Sequence, residues 1–184
     1  MIISLRNIQK RSWYLDGMTD YRFIADSMMG KEAKWLRILG YYTFYESSID
    51  DIYLVELASK RKNGVLITRD RELFHKGVDA NIYVFYMFFA NINRFIDSFK
   101  RFFSSNIEID FSKTRCPKCN GKLIKVLFKR KIKQIIPSYI YMRYNIFYQC
   151  IRCGQIYWPG SHLKNMKKVL AGEISEYETH EGGR

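Results

Sequence analysis

Four aspartates in the first half of the chain have the residue type and the spacing for metal-assisted chemistry. Asp26 and Asp70 each follow a short apolar run, and Asp50 and Asp51 begin a helical segment. Carboxylates that lie close together repel one another and need a cation, and hard oxygen ligands suit Mg²⁺ or Mn²⁺. Such ions activate water and stabilise the leaving oxygen in phosphodiester hydrolysis. The spacing therefore predicts an acidic metal site.

Each of these aspartates also has a simpler interpretation as a helix cap or turn former. Asp50 is the better candidate for a pure cap if Asp51 is the ligand, and the sequence does not order the two. Cations near the same edge are predicted to hold the phosphate backbone of RNA. They are Lys31, Lys34, Arg37 and Arg69.

Two Cys-x-x-Cys pairs, Cys116/Cys119 and Cys150/Cys153, are separated by 30 residues. Four thiolates in tetrahedral geometry select Zn²⁺, so the pairs predict a closed structural zinc site on a β-hairpin with a long excursion. The alternatives are an iron site or a redox motif, which needs only one pair at a helix start. Since the cysteines complete the ligand set, His162 is predicted to face RNA or the acidic pocket, or to be a surface or capping residue.

The positive charge of the chain is concentrated around these cysteines. The net charge is +13, and residues 112–172 contain ten lysines, four arginines and no acidic residue. Cations for phosphates and aromatic rings for bases are what single-stranded RNA recognition uses. The predicted RNA-binding cations of this segment are Lys129, Arg130, Lys131 and Lys133. The interleaved aromatic residues, which could equally fill a small core, are Tyr139, Tyr141, Tyr144, Tyr148, Tyr157 and Trp158.

The elements that must position the aspartates alternate between strands and helices. The predicted strands are Arg22–Ala25, Tyr42–Tyr45, Val65–Thr68 and Ile82–Phe88. The predicted helices are Gly30–Gly40, a segment from Ser48 or Asp50 to near Asn63, a short one around Arg71–His75, Asn91–Phe103 and Ser161–Leu170. This alternation predicts an α/β fold whose parallel sheet is covered on both faces. Ligands of such sheets gather at the carboxyl ends of the strands.

Changes in composition and charge along the sequence predict several structural units. We expect an N-terminal extension (1–20), an α/β domain (21–104), a linker (105–113), a small β-rich cysteine domain with a C-terminal helix (114–172) and an acidic tail (173–184). No apolar run approaches the length of about 18 residues that a membrane span needs. No signal peptide is recognisable at the N-terminus, so a cytoplasmic location without membrane binding is the expectation.

Three blocks of the chain carry a family resemblance. The first is 23–41 (FIADSMMGKEAKWLRILGY), and the second is 50–51 followed by a helix and by 66–73 (LITRDREL). The third is the cysteine module, with 137–139 (PSY) inside it and 157–162 (YWPGSH) after it. Together, over roughly residues 21–170, they resemble the PIN-like ribonuclease family named for the C-terminal region of the mut-seven exonuclease.

The resemblance implies a PIN-like α/β fold, metal-dependent ribonuclease activity and a C-terminal zinc ribbon. It carries Asp26, Asp51 and Asp70 over as the acidic site that binds Mg²⁺ or Mn²⁺, with Asp50 as the alternative to Asp51. The architecture also resembles that of a PIN-plus-ribbon nuclease of small-subunit ribosomal RNA maturation. Ribosomal RNA, transfer RNA and the ribosome are therefore candidate partners.

One departure from the PIN pattern concerns a further acidic residue, which many PIN nucleases have between the first and second of these positions. The candidates in this chain are Glu32 and Glu46, and neither has a convincing place in the sequence pattern. We expect a Mg²⁺- or Mn²⁺-dependent ribonuclease, with weak or absent activity if the carboxylate set is too sparse. The alternative is a non-catalytic RNA-binding or ribosome-associated protein that keeps the fold as a scaffold.

Overall fold

Four parallel strands form the centre of the structure, a computed structural model that describes residues 2–4 (backbone only), 21–103 and 107–175. The strands of the main sheet are β1 (Ile2–Ser4), β2 (Arg22–Ala25), β3 (Tyr42–Tyr45), β4 (Gly64–Thr68) and β5 (Tyr83–Tyr86). Their order is β1-β5-β4-β2-β3, and only β1, at one edge, is antiparallel to its neighbour. The predicted α/β fold with a central parallel sheet is therefore confirmed.

Helices cover both faces of this sheet. They are α1 (Gly30–Ile38), α2 (Asp51–Ser59), α3 (Arg71–Asp79), α4 (Ile92–Phe102) and, near the end of the described chain, α6 (Ser161–Ala171). Successive strand residues point to opposite faces. In β2, Phe23 and Ala25 join the core under α1, α4 and α6, while Ile24 joins the core under α2 and α3. The alternation of apolar side chains thus builds two cores from one sheet.

The segment 114–160, here called the cysteine region, forms a second sheet. It consists of β6 (Leu123–Lys125), β7 (Tyr148–Cys150) and β8 (Ile156–Tyr157), all antiparallel. The chain between β6 and β7 contains a 3₁₀ turn (Lys129–Ile132) and α5 (Ser138–Arg143), neither of which the sequence analysis predicted. The long excursion between the cysteine pairs is therefore largely helical, with its own small apolar core.

A buried arginine joins the cysteine region to α1. Arg37 is only 5% exposed, and its guanidinium donates to the carbonyls of Thr43 at 3.0 Å and Pro117 at 2.8 Å. The Asn120 side-chain oxygen accepts from the backbone N–H of Thr43 at 3.2 Å. These bonds use Arg37 inside the protein, so its predicted role in contacting RNA is replaced by a structural one.

Several elements differ from the sequence-based expectation. Helix α3 continues to Asp79 because Gly77 packs directly on β5, where a Cβ would lie 2.5 Å from Val84 Cγ2. This packing outweighs the low helix propensity of glycine. Strand β5 is shorter than predicted, and residues 2–4 add an edge strand where an extension, with at most a short helix, was expected.

The predicted units are only partly visible in the structure. Helix α6 was assigned to the cysteine domain, yet its buried residues Met166, Val169 and Leu170 belong to the core beneath α1 and α4. Residues 5–20 of the extension, 104–106 at the linker and 176–184 of the acidic tail lie outside the described residues. In the described part of the chain, no helix is long and apolar enough to cross a membrane.

The hydrogen bonds that Arg37 donates to Thr43 and Pro117 lead to a prediction about stability. Arg37→Ala leaves two carbonyls without their donor and removes buried volume, so we expect the free energy of unfolding to fall by about 2–4 kcal/mol. Denaturant unfolding followed by circular dichroism measures this change. Arg101→Ala, at an exposed position in α4, is the matched control and should stay within about 0.5 kcal/mol of the wild type. Equal stability of the two variants would contradict the structural role.

Candidate active site and metal centre

The strand order reverses between β2 and β4. The chain leaves β2 for β3 on one side, and it returns to β4 on the other side of β2. Such a reversal directs the two crossover connections to opposite sides, and open α/β sheets bind their ligands in the crevice at that carboxyl edge. Asp26 follows β2 and Asp70 follows β4, so both predicted site residues lie at this position.

A buried threonine links these two aspartates. The Thr68 hydroxyl donates to Asp26 Oδ2 at 2.6 Å and accepts from the backbone N–H of Asp70 at 2.8 Å. Asp26 is 4% exposed, and its Oδ1 accepts from the Ser27 hydroxyl at 3.1 Å. Asp70 caps α3, and its Oδ1 accepts from the N–H groups of Glu72 and Leu73. Both cap hydrogen bonds go to Oδ1, so Oδ2 of Asp70 is not part of the cap.

The adjoining aspartates have different roles. Asp50 is exposed and caps α2, with its Oδ1 accepting from the N–H groups of Ile52 at 2.8 Å and Tyr53 at 3.3 Å. Asp51, the first residue of α2, has its Oδ2 2.8 Å from Lys76 Nζ on α3. This bond raises the pKa of Lys76 and keeps its ammonium charged. Asp50 is therefore a helix cap whose Oδ2 lies outside the cap, as in Asp70, while the carboxylate of Asp51 is paired with a cation.

A second cation–carboxylate pair crosses the crevice. Arg69 Nη1 lies 2.8 Å from Glu32 Oε1, and Arg69 Nη2 donates to the carbonyl of Met28 at 2.5 Å. Glu32 is 3% exposed, and its Oε2 has no hydrogen-bond partner. A buried carboxylate oxygen without a partner is costly, and it marks a place where a ligand could be bound. The Arg69 side chain, 19% exposed, is thus paired within the protein, and its contact with RNA stays a prediction.

The four cysteines lie together at the other candidate site. Their sulfur atoms all lie within 4.8 Å of one another, with Sγ–Sγ distances of 3.6 Å for Cys116–Cys153 and 3.4 Å for Cys119–Cys150. Bonds of about 2.3 Å from Zn²⁺ place the sulfurs of a tetrahedral site about 3.8 Å apart. The thiols are free and not in disulfides. The arrangement fits a zinc ion, and among the described residues it is the one such group of three or more metal-ligand side chains.

The surroundings of these thiols shift their pKa values in opposite directions. Burial raises the pKa of Cys119 to about 12, and the three neighbouring sulfurs add to this effect. Burial acts in the same direction on Cys150, but N–H groups of Cys153 and Arg152 outweigh it and lower the pKa of Cys150 to about 7. The Tyr157 hydroxyl lies 3.0 Å from Cys116 Sγ, so it can orient that ligand.

The predicted RNA-binding cations separate into groups. Lys31, Lys34 and His162 line one cleft between α1 and the cysteine region. The second group lies at the 3₁₀ turn and just after it, and none of its members is among the residues that line the cleft. It contains Lys129, Arg130, Lys131 and Lys133. Lys129 Nζ lies 4.5 Å from the centre of the Tyr141 ring. The structure therefore offers two separate cationic surfaces.

The acidic edge and the cysteine cluster both fall inside one family match. The model of the family described as Mut7-C RNAse domain matches residues 21–170, most of the chain. The protein belongs to the Mut7-C RNAse domain family. The family named from the sequence blocks is thereby confirmed. Corresponding searches find no match among curated proteins and none among solved structures.

Two residues of the acidic edge in this Mut7-C protein were not placed by sequence reasoning. Thr68 appeared only as part of a strand, because its role depends on β2 lying beside β4, which the sequence does not reveal. Glu32 was considered and set aside. A signal for it did exist, since Glu32 lies on the same helical face as Ala33 and Leu36, and a charge on an apolar face indicates a buried partner, here Arg69.

The cysteine cluster predicts one Zn²⁺ per chain, measurable by native mass spectrometry of the purified protein. Cys150→Ser should lose the ion and lower the melting temperature, because a region this small cannot build a large core without metal. Gly121→Ala should do the same with all four thiols kept, since its Cβ would lie 2.8 Å from Cys150 Sγ.

Ser138→Ala, an exposed change in the same region, is the control and should retain both the ion and the melting temperature. Full zinc occupancy in Cys150→Ser, or a wild-type protein without zinc, would contradict the assignment.

Proposed function

We propose that this protein is a Mg²⁺- or Mn²⁺-dependent ribonuclease that hydrolyses RNA phosphodiester bonds at the Asp26–Asp70 edge. The observation that carries the proposal is the Asp26–Thr68–Asp70 hydrogen-bond chain at the point where the strand order reverses, in a chain of the Mut7-C RNAse domain family. That family supports a nuclease-type function, and the edge supplies oxygen donors of the kind hard cations prefer.

The proposed ligand set consists of Asp26 and Asp70, with Asp51 from α2 as the third member. Among the described residues only the cysteines form a ready group of three or more metal-ligand side chains, so these carboxylates would have to move together around the ion. Glu32 Oε2 adds a buried oxygen without a hydrogen bond, which supports Glu32 over Glu46 as the further acid of the proposed site. A divalent ion bound there would lower the pKa of a water molecule and stabilise the leaving oxygen. Thr68 holds the Asp26 carboxylate in position, and Lys31 at the start of α1 provides a cation for the scissile phosphate region.

The cysteine region is proposed to act as a zinc ribbon that binds the RNA. Its cations attract the phosphate backbone, and a closed Cys₄ site keeps no open position for catalysis. Cytoplasmic RNA, with ribosomal and transfer RNA as candidates, is the proposed substrate pool.

A second candidate function is RNA binding without cleavage. Lys76 on Asp51 and Arg69 on Glu32 already neutralise two of the acids. If these ion pairs persist in the presence of divalent ions, the edge has too few free carboxylates for catalysis. This candidate predicts tight, salt-sensitive RNA binding with no metal-dependent cleavage.

Cleavage of single-stranded RNA in Mn²⁺ tests the proposal. Asp26→Asn and Asp70→Asn should each slow cleavage by more than about 100-fold, because loss even of a group that only supports a metal ligand costs about 10–100-fold. Asp79→Asn, exposed at the far end of α3, is the matched control and should cleave at the wild-type rate. Equal rates in all four proteins would overturn the proposal, and binding without any cleavage would favour the second candidate.

Thr68 offers a separate test of how the site is positioned. Thr68→Val keeps the shape of the side chain but removes the donor to Asp26 and the acceptor for Asp70 N–H. We expect about a 10–100-fold loss of activity together with a higher Mn²⁺ concentration for half-maximal rate. A variant with lower thermal stability but an unchanged Mn²⁺ dependence would show that Thr68 is structural only.

A further inference from the structure

A cleft of about 880 Å³ lies between α1, α6 and the cysteine region. Its size is within the range of small-molecule and cofactor sites. The wall contributed by α1 is one helical face, formed by Lys31, Lys34, Trp35 and Ile38, whose spacing of three and four residues places them in one row. The opposite wall comes from α5, the segment after β8 and the start of α6. The cleft is therefore formed jointly by both parts of the chain.

Aromatic rings line the wall opposite α1. Tyr139 is 67% exposed, and Tyr144 and Trp158 lie deeper, with ring centres 6.5 Å apart. Trp158 is supported from behind by Phe147, also at 6.5 Å. A Cβ at Gly160 would lie 3.0 Å from Trp158 Nε1, so glycine leaves the indole its place. Tyr139 is the exposed ring of this wall, and Tyr144 and Trp158 are half-buried against the small core of the cysteine region. Such a wall suits stacking with unpaired bases, since every base has a π-face.

The charge of this cleft has one sign. Lys31, Lys34 and Arg143 are among the residues that line it, together with His162, and none of the described lining residues is acidic. The 11-residue helix α6 also begins there, and its cap residue Gly160 provides no side-chain acceptor. The partial positive charge of a helix start adds to that of the lysines. An anionic ligand with flat, aromatic groups matches both walls.

The position of the cleft relative to the acidic edge is set by α1. Lys31 is the second residue of α1, beside Glu32 at the crevice, and Lys34 lies one turn further along. The cleft wall therefore begins at the end of α1 that carries Glu32, although no residue of the acidic edge is among the described residues that line the cleft. The cations of the 3₁₀ turn, by contrast, contribute no lining residue.

We propose that this cleft binds unpaired nucleotides of the RNA, with bases against Tyr139, Tyr144 and Trp158 and phosphates near Lys31 and Lys34. The inference rests on the proposed function, because it makes the cleft the path along which single-stranded RNA reaches the acidic edge. It assigns RNA recognition to the cleft between α1 and the cysteine region, and not to the outer surface of the cysteine region.

Binding of a fluorescein-labelled, ten-nucleotide single-stranded uridine oligomer, followed by anisotropy without added Mg²⁺ or Mn²⁺, tests the proposal. Tyr139→Ala should weaken binding about tenfold through lost stacking. Lys34→Ala should weaken it and lower the slope of log affinity against log salt by about one. A duplex of the same length should bind more weakly than the single strand, because its bases are not available.

Matched controls lie on the far face of the sheet and at its other edge. Tyr53→Ala removes a tyrosine that is 49% exposed on α2, and Lys62→Ala removes an exposed lysine after α2. Both should bind like the wild type. Equal affinity of Tyr139→Ala and Tyr53→Ala, or equal binding of duplex and single strand, would overturn the proposal.

Photocrosslinking identifies the occupant without relying on variants. With 4-thiouridine in the oligomer, crosslinks should map to the peptides that contain Tyr139 or Trp158. Crosslinks confined to the 3₁₀ turn would overturn the proposal. Polyglutamate is tested as a competitor of the oligomer. If it displaces the oligomer equally well, and if its own binding requires Tyr139, the proposal is also overturned, because the cleft would then bind acidic peptides.

These outcomes are separate from those of the cleavage assay. Single-strand binding that depends on Tyr139, in a protein that does not cleave RNA, would retain the cleft assignment and remove the nuclease. Cleavage that depends on Asp26, with no effect of Tyr139→Ala on binding, would retain the nuclease and remove the cleft assignment.

Discussion

The parallel pairing of β2 with β4 is the constraint on which the rest of the structure depends. Their register places Ala25 opposite Ile67, so the next residues, Asp26 and Thr68, emerge side by side at the carboxyl edge. A 2.6 Å hydrogen bond between their side chains then fixes a buried carboxylate in a defined orientation. Since the strand order reverses between these two strands, the same pairing places the carboxylate at the edge where open α/β sheets bind their ligands.

Helix α1 transmits this arrangement to the cysteine region. Its first turn carries Glu32 at the crevice, its exposed face lines the cleft, and its last turn carries Arg37, which binds the backbone of Pro117. Gly40 ends the helix with a φ of 96°, and a Cβ there would lie 3.1 Å from the carbonyl of Lys113. One nine-residue helix therefore fixes the positions of the acidic edge, the cleft and the cysteine cluster relative to one another.

The sequence predicted what local patterns determine and missed what strand neighbours determine. Alternating strands and helices gave the α/β class, and two Cys-x-x-Cys pairs predicted the thiol cluster, because ligand spacing is local to each pair. The role of Thr68 depends on a residue 42 positions away, and the burial of Arg37 depends on a carbonyl 80 positions away. Contacts between residues so far apart in the chain leave no periodic pattern in the sequence. Asp70 shows why spacing alone is ambiguous, since it is both a helix cap and a residue of the proposed site.

The proposed nuclease requires that the edge formed by β2 and β4 binds a divalent cation. Anomalous diffraction from a crystal of this protein soaked in Mn²⁺ measures this binding, and a zinc peak among the four cysteines serves as the internal reference. We expect a manganese peak bonded to the carboxylates of Asp26 and Asp70, with Glu32 or Asp51 released from its cation to join them. A zinc peak at the cysteines with no manganese at Asp26 and Asp70, and with both ion pairs intact, would contradict this expectation.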